Sequence, residues 1–173
     1  MKIPLRILVE GALSIALAVV LSYFKLFSMP QGGSVSLTLL PLLIFAFRNG
    51  WRYGIFVGAV TGLLRLMLGG YVVHPLQALL DYPVASGLIG IAGFFPREKW
   101  LGVLCACFAN FAAAVLSGVV FFASYAPEGT NIWLYSILYN GSSVLPETAI
   151  LMALVYIIMP RLEKFVCNAA VVK

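Results

Sequence analysis

Charged residues are scarce in this chain. Asp, Glu, Lys and Arg make up only 10% of its 173 residues, whereas 62% are hydrophobic. A water-soluble domain carries roughly 25% charged residues, so the deficit excludes that class and indicates an integral membrane protein. At about 20 residues per membrane-spanning helix, the length allows five or six helices joined by short loops. We predict a single domain covering residues 1–173, with no separate catalytic unit.

The sequence also lacks the motifs of common enzyme classes. It has no GxxxxGK[ST] phosphate-binding loop, which excludes ATP hydrolysis by that route. A single histidine, with no HExxH or GxSxG, argues against a metalloprotease or a serine hydrolase. Cys105 and Cys107 are two residues apart and Cys167 is distant, which is neither metal-ligand spacing nor a disulfide framework. We therefore expect no metal, no cofactor and no catalytic residues.

What the chain does have is a series of six apolar segments. The first is too long for a signal peptide and carries Glu10, so we interpret it as a membrane helix. The second is short and contains Pro41, which favours a tilted, kinked or partial span. The six segments are residues 5–27, 36–47, 51–68, 75–95, 101–125 and 143–159.

The basic residues are distributed unevenly between the loops. Most fall in the termini and in the second and fourth loops, and because such residues stay on the cytoplasmic side, this predicts an all-α membrane protein of six helices with both termini cytoplasmic. The net charge of +5 therefore reflects topology, and we expect no nucleic-acid partner. The residues in question are Lys2, Arg6, Arg48, Arg52, Arg97, Lys99, Arg161, Lys164 and Lys173.

Three charged residues lie within the apolar segments: Arg65, Asp81 and Glu147. The topology places all three in the outer half of the bilayer, where a carboxylate is costly unless it has a partner. One arginine neutralises one acid, so roughly one negative charge is left to attract a cationic ligand. Alternatively, one acid is protonated, or Asp81 pairs with a basic residue on another helix. An intramembrane enzyme using Asp81 and Glu147 is a further interpretation.

Other polar and aromatic groups are predicted at the same depth. His74, Gln77 and Asp81 share one helical stripe, and Asn140, Ser143 and Glu147 share another. Aromatic faces attract cations and stack on flat heterocycles, although an ordinary aromatic belt at the membrane interface explains part of the set. The aromatic residues are Tyr71, Tyr82, Phe122, Tyr125, Trp133, Tyr135 and Tyr139.

Four stretches of the sequence resemble a known family. PQGGS, LQALLDYPVA, SGVVFFASYAPEG and LYSILYNGS are similar to segments of the thiamine-binding S-components of energy-coupling factor vitamin transporters. The resemblance implies an S-component-like fold in the bacterial plasma membrane, without enzymatic activity. It also implies that thiamine is captured from outside and released inward by a partner module, which consists of a transmembrane scaffold protein and two cytoplasmic ATPases.

The resemblance also implies roles for particular residues. Asp81, where the family more often has glutamate, would face the thiamine cation, and Gln31 would lie in a loop that caps the site. The family has a ligand-contacting histidine where this chain has Ala114, so either Asn110 or His74 would take its place. Further substrate contacts would come from Tyr71, Tyr82, Gly118, Phe122, Tyr135 and Asn140. Glu147 is added as a substrate contact because of its charge and its position on the stripe with Asn140.

Two small residues on the first helix, Ala12 and Ala16, are implied to dock the scaffold protein. From spacing alone, alanines of this kind are also common as simple filler in a membrane helix. Three rival functions stay open: an S-component for a thiazole or pyrimidine precursor of thiamine, the intramembrane enzyme, and a small structural subunit.

Overall fold

The computed structural model describes residues 3–29 and 33–171, with side chains described as far as Lys164. Six helices follow one another in this part of the chain. Their bounds are α1 Leu5–Tyr23, α2 Leu39–Asn49, α3 Trp51–Met67, α4 Pro75–Phe94, α5 Lys99–Phe121 and α6 Ile132–Val171. An antiparallel hairpin of β1 Lys25–Ser28 and β2 Ser34–Ser36 lies between α1 and α2, and a 3-10 turn, Ala123–Tyr125, follows α5.

Among the described residues, four helices are long and apolar enough to cross a membrane: α1, α4, α5 and α6. The other two are shorter, with 11 residues in α2 and 17 in α3. α2 is buried along nearly its whole length, and its Leu42, Leu43 and Phe45 belong to the same core cluster as Ile89 of α4 and Leu151 of α6. A helix enclosed on every side needs no polar face, which explains why α2 is apolar all round.

α3 packs against α4 through glycines spaced four residues apart, of which Gly58 and Gly62 make the tightest contacts. A Cβ atom at Gly58 would collide with the carbonyl of Ser86, and one at Gly62 would collide with the carbonyl of Tyr82. Small residues at this spacing let two backbones come close together in a membrane. The contact therefore fixes the α4 backbone next to Tyr82, at the centre of the candidate site.

α4 is helical from end to end but changes its hydrogen-bonding pattern along the way. An α-helical turn, Pro75–Leu79, leads into a π-helical turn, Leu80–Val84, then into Ala85–Leu88 and a 3-10 segment, Ile89–Phe94. Pro83 has no N–H, so it cannot donate to the carbonyl of Leu79. The N–H of Ala85 instead donates to the carbonyl of Leu80, five residues back. Single π-helical turns of this kind are frequent at functional sites.

Two of the predicted segments, the first and the last, have wrong boundaries. The first segment was expected to be helical over 5–27, but the helix ends at Tyr23 and Lys25–Ser28 forms β1. The prediction of an all-α chain therefore omits this hairpin. Phe24, Leu26 and Phe27 are exposed, so their apolar character belongs to an outward-facing strand. The last helix begins at Ile132, 11 residues before the predicted start at 143, and continues to Val171.

Three of the basic residues, Arg6, Arg48 and Lys99, form ion pairs at the ends of the helices away from the hairpin. Glu10 of α1 pairs with Arg48 at 3.0 Å and with Arg6 at 2.9 Å. Lys99 at the start of α5 pairs with Glu163 of α6 at 2.9 Å. The Glu10–Arg48 pair joins the N-terminal end of α1 to the α2–α3 connection, and the Trp51 and Phe94 rings, 4.7 Å apart, join that connection to the α4–α5 connection. The cytoplasmic location of this end stays a prediction from the charge pattern. The predicted basic positions Lys2 and Lys173 lie outside the described residues.

Candidate functional site

A cavity of about 310 Å³ lies beneath the hairpin, at the end of the bundle opposite the basic residues. α3, α4, α5 and α6 form its walls, and the two strands cover it. Ser142 of α6 lies 3.7 Å from the sulfur of Met29, which holds the hairpin against that helix. Nine of the 11 predicted substrate-binding residues line this space: Tyr71, Asp81, Tyr82, Asn110, Gly118, Phe122, Tyr135, Asn140 and Glu147.

Asp81 lies on the π-helical turn of α4, with its carboxylate held by a neutral group. Its Oδ2 accepts a hydrogen bond of 2.6 Å from Nε2 of Gln77, which lies one turn earlier and is 1% exposed. The buried hydroxyl of Ser117 lies beside the same carboxylate without a hydrogen bond of good geometry. No basic side chain among the described residues lies within 4.0 Å of Asp81. The predicted alternative, pairing with a basic residue on another helix, is therefore absent from this part of the chain.

Arg65 lines the same cavity as the two acids without forming an ion pair to either within the described chain. Its guanidinium carbon is 5.9 Å from the centre of the Tyr82 ring, a cation–π distance. The cavity therefore has two carboxylates and one guanidinium in its interior. Lys25, on the exposed strand β1, also lines the cavity. From the sequence alone, Lys25 is expected at a helix edge and is not counted with the charges of the site. The predicted excess of one negative charge therefore holds for the cavity interior, whereas the covering strand adds the positive charge of Lys25.

Glu147 joins α6 to the hairpin. Its Oε1 accepts hydrogen bonds from the backbone N–H of Ser36 at 3.3 Å and from the Ser36 hydroxyl at 3.4 Å. The Ser36 and Thr38 hydroxyls are 2.8 Å apart and continue the network. Glu147 is 9% exposed, so these contacts satisfy one oxygen of an otherwise buried carboxylate. Glu147 therefore lines the cavity and also connects the hairpin to α6.

Aromatic side chains form one side of the cavity. The hydroxyl of Tyr82 accepts the backbone N–H of Tyr71 at 2.6 Å, which ties the loop before α4 to the site. The rings of Tyr71 and Phe122 stack with centres 6.3 Å apart, and those of Phe122 and Tyr125 lie 5.9 Å apart. The hydroxyls of Tyr71 and Tyr125 are 3.4 Å apart, and this hydrogen bond raises the pKa of the Tyr71 phenol above its usual value.

The facing wall comes from the first turns of α6. The rings of Tyr135 and Tyr139 are 5.8 Å apart, and Asn140 donates to the Ser136 carbonyl at 3.0 Å. A Cβ at Gly118 of α5 would collide with the Ser136 hydroxyl, so glycine is required for this close approach. With its amide NH₂ bound to backbone carbonyls, Asn140 keeps its amide oxygen as an acceptor for a ligand.

The two candidates for the missing family histidine are placed differently. Ala114 lines the cavity, and Asn110, one turn earlier, lines it too while donating to the Ala85 carbonyl at 2.9 Å. His74 does not line the cavity. Its Nδ1 accepts the N–H of Leu76 at 3.2 Å as the N-cap of α4, and its ring stacks on Phe121 at 5.2 Å. Of the two, only Asn110 is within reach of a ligand in the cavity.

Some lining residues were not singled out from the sequence, and one predicted residue lies outside the described chain. Gln31, expected in the capping loop, falls in residues 30–32. The missed residues are mostly small and hydroxylated, and their signal in the sequence is only their helical spacing. They include Ser34, Ser36, Thr38, Ser86, Ser117 and Ser136. The described residues contain no group of three or more His, Cys, Asp or Glu side chains that would hold a metal ion.

Comparison with known proteins gives a consistent result along nearly the whole chain. The sequence profile of the family described as Thiamine transporter protein (Thia_YuaJ) matches residues 8–167. The chain is 38% identical to the thiamine transporter ThiT of Bacillus subtilis, over 91% of this chain and 93% of that protein. It is 31% identical to the thiamine transporter ThiT of Lacticaseibacillus paracasei, over 90% of this chain and 87% of that protein.

A solved structure agrees with the sequence comparison. The structure of ThiT from Listeria monocytogenes, solved by native-SAD phasing, superposes with a TM-score of 0.78 at 28% identity. The match covers 90% of this chain and 96% of that one, so the two proteins share their overall fold.

Proposed function

Because the chain belongs to the thiamine transporter protein (Thia_YuaJ) family and is a multi-pass protein of the cell membrane, we propose that it is the thiamine-binding S-component of an energy-coupling factor importer. It takes thiamine from outside the cell and carries out no covalent chemistry. ATP hydrolysis is supplied by a partner module. In this proposal six helices cross the membrane, with both termini in the cytoplasm and the cavity facing outward.

The observation that carries the proposal is the environment of Asp81. Its carboxylate lines the cavity, is held by the neutral amide of Gln77, and has no basic partner within 4.0 Å among the described residues. Leaving a carboxylate unpaired at membrane depth is costly, so a cation that enters the cavity gains from neutralising it. The thiazolium ring of thiamine is a flat cation and meets this requirement.

The aromatic walls complete the complementarity to such a ligand. Tyr71, Tyr82 and Phe122 lie on one side and Tyr135 on the other, so a flat heterocycle has rings to stack on. Asn140 and Asn110 offer amide groups for the aminopyrimidine ring. Gln31 would act from the capping loop, as the resemblance implies.

The partner module would dock on α1. Ala12 and Ala16 both lie on the exposed face of this helix, while Gly11 and Ala18 are buried against the bundle. Large apolar side chains around the two alanines are exposed as well, Leu13 at 60% and Leu17 at 55%. A stripe of small residues within an apolar face lets a second membrane helix approach closely. These features support docking of a transmembrane scaffold protein at this face.

Asp81→Asn tests the binding proposal. It removes the charge while keeping the shape, so thiamine affinity should fall by about 1–3 kcal/mol, or roughly 5- to 150-fold. Isothermal titration of the purified protein in lipid nanodiscs measures this change. Glu163→Gln, which alters an acid at the opposite end of the bundle, serves as the control and should bind like wild type. Unchanged affinity of Asp81→Asn would remove the electrostatic basis of the proposal.

The same titrations decide between thiamine and its precursors. The thiazole and pyrimidine halves each fill only part of a cavity whose two walls are both aromatic, so each should bind more weakly than the intact vitamin. Tighter binding of one half than of thiamine would identify the protein as a precursor transporter.

A further inference from the structure

Gln77 is a fully enclosed polar side chain next to Asp81. It is 1% exposed, lies one helical turn before Asp81 on α4, and lines the cavity. Three hydrogen bonds engage its amide. Nε2 donates to Asp81 Oδ2 at 2.6 Å and to the Tyr71 carbonyl at 3.3 Å, while Oε1 accepts the Val73 N–H at 3.0 Å.

These partners determine which way the amide points. Two acceptors face the NH₂ group and one backbone donor faces the carbonyl oxygen, so the flipped amide would lose all three bonds. With Nε2 fixed in place, Asp81 Oδ2 is held toward Gln77. This leaves Oδ1 as the carboxylate oxygen available to a ligand. The short bond to a charged acceptor is of the strong kind.

The same amide also holds the loop between α3 and α4. Its hydrogen bonds to Tyr71 and Val73 join the ends of a short loop segment. Tyr82, which lies on α4 like Gln77, accepts the Tyr71 N–H with its hydroxyl. The Tyr71 side chain is part of the aromatic wall of the cavity. Gln77 therefore connects the Asp81 carboxylate, which would contact the cation, to the loop that carries the Tyr71 ring.

We propose that Gln77 is the positioning residue of the site: it aims the Asp81 carboxylate at the cationic ligand and couples that carboxylate to the Tyr71 loop. This proposal rests on the proposed function, because it takes the cation contact of Asp81 as given. Gln77 need not contact thiamine itself. Its effect on binding passes through Asp81 and Tyr71.

A double-mutant cycle tests the coupling. Gln77→Met keeps the length of the side chain but removes the amide, and should weaken thiamine binding about 10- to 100-fold, the scale of one hydrogen bond to a charged group. In the Asp81→Asn background the same change should weaken binding less than about threefold, since the oriented charge is already gone. Equal losses in the two backgrounds would overturn the proposal, because they would mean a purely structural role for Gln77.

The reciprocal exchange provides a second, independent variant. Asp81→Asn combined with Gln77→Glu keeps one amide and one carboxylate in contact and returns the negative charge to the cavity. The exchanged protein should bind thiamine more tightly than Asp81→Asn alone. Binding no better than that of the single variant would count against a functional pair. Should Gln77→Met fail to fold, this exchange still decides the question.

Hydrogen exchange of residues 69–74 reports the coupling to the loop. Thiamine should slow exchange in this segment of the wild-type protein, and Gln77→Met should abolish the slowing even at saturating thiamine. Slowing that persists in the saturated variant would contradict the coupling. Thr61→Val is the matched control, since Thr61 is fully buried, its hydroxyl donates to the Val57 carbonyl and it does not line the cavity.

If Asp81→Asn alone binds thiamine like wild type, the proposed function itself has failed, which is an outcome separate from failure of the Gln77 proposal.

Discussion

The proposed function depends on a carboxylate that no neighbouring cation neutralises. Among the described residues, Glu10 and Glu163 have basic partners, in Arg48 and Lys99, while Glu147 accepts hydrogen bonds from Ser36. Asp81 has the amide of Gln77 and an open cavity instead. In the proposed function, a bound cation offsets the unfavourable energy of keeping an unpaired charge within the bundle, and this difference would be the physical origin of affinity and selectivity at the site.

Asn110 and His74 make different contacts, so substitutions at the two positions should have different effects. Asn110→Ala should weaken thiamine binding by about 1–3 kcal/mol, because it strips a wall group and leaves the Ala85 carbonyl without its donor. His74→Ala should leave thiamine affinity within about twofold and lower the free energy of unfolding by about 1–2 kcal/mol, since it removes an N-cap and the ring stacked on Phe121. Titration and thermal unfolding of both variants make the comparison. Wild-type affinity in both would show that neither replaces the family histidine.

The position of Asp81 within a polar stripe was predictable from the sequence, because helical periodicity places Gln77 and Asp81 on one face. The hydrogen-bond partner of Glu147 was not predictable from the sequence. Ser36 is 111 residues away, and its contact depends on how the hairpin folds over α6. The failure of Arg65 to pair with either acid is likewise a matter of three-dimensional placement that charge counting does not reveal.

At the level of secondary-structure elements, the irregular helix α4 and the glycines of α3 form one unit. The π-helical turn exists because Pro83 has no N–H, and it fits against α3 because Gly62 has no side chain. Each feature alone is a weak signal in the sequence. Together they bring the backbone at Tyr82 against α3 and direct Asp81 into the cavity.

Gly62→Ala tests this dependence. Its new Cβ would collide with the Tyr82 carbonyl, so we expect a loss of about 1–3 kcal/mol in stability and weaker thiamine binding. Gly141→Ala on α6 is the matched control, because its Cβ would meet only Phe111 at 3.9 Å, an ordinary contact. The control should be neutral or stabilising by up to about 1 kcal/mol. Thermal unfolding and thiamine titration of both proteins give the answer, and equal behaviour would refute the packing argument.

Hydrophobic periodicity predicted the helices well where they are buried or face lipid. It failed at the C-terminal end of α1 and at the N-terminal end of α6, and each failure has a physical reason. The residues of β1 are apolar and exposed, so they resemble the continuation of α1. The first turns of α6 contain Asn140, Gly141 and several serines, which resemble a loop although they are helical. Polar residues there are favourable because they face the cavity and not lipid.

At the scale of the whole molecule, the two ends of the bundle have different chemistry. One end is closed by ion pairs such as Glu10–Arg48 and carries basic residues, and the other holds the cavity and its hairpin. α1 packs on this bundle through only part of its surface and exposes the rest. The molecule thus separates a ligand-binding end from a lateral helix face available to a partner.

Ala16→Trp tests the lateral face. A large side chain there should prevent the close approach of a partner helix and abolish co-purification with the scaffold protein and ATPases, while thiamine affinity stays at the wild-type value. Leu145→Trp, a similar enlargement at a position 72% exposed on α6, should leave the complex intact. Retention of the full complex by Ala16→Trp would place the docking surface elsewhere.

The most direct test of the central claim compares a cationic and a neutral ligand. Thiamine and an uncharged analogue, in which a thiophene replaces the thiazolium ring, are titrated into the wild-type protein and into Asp81→Asn. The account predicts that wild type prefers thiamine by at least about tenfold and that Asp81→Asn loses most of this preference. Equal affinity of the wild-type protein for the two ligands would contradict it.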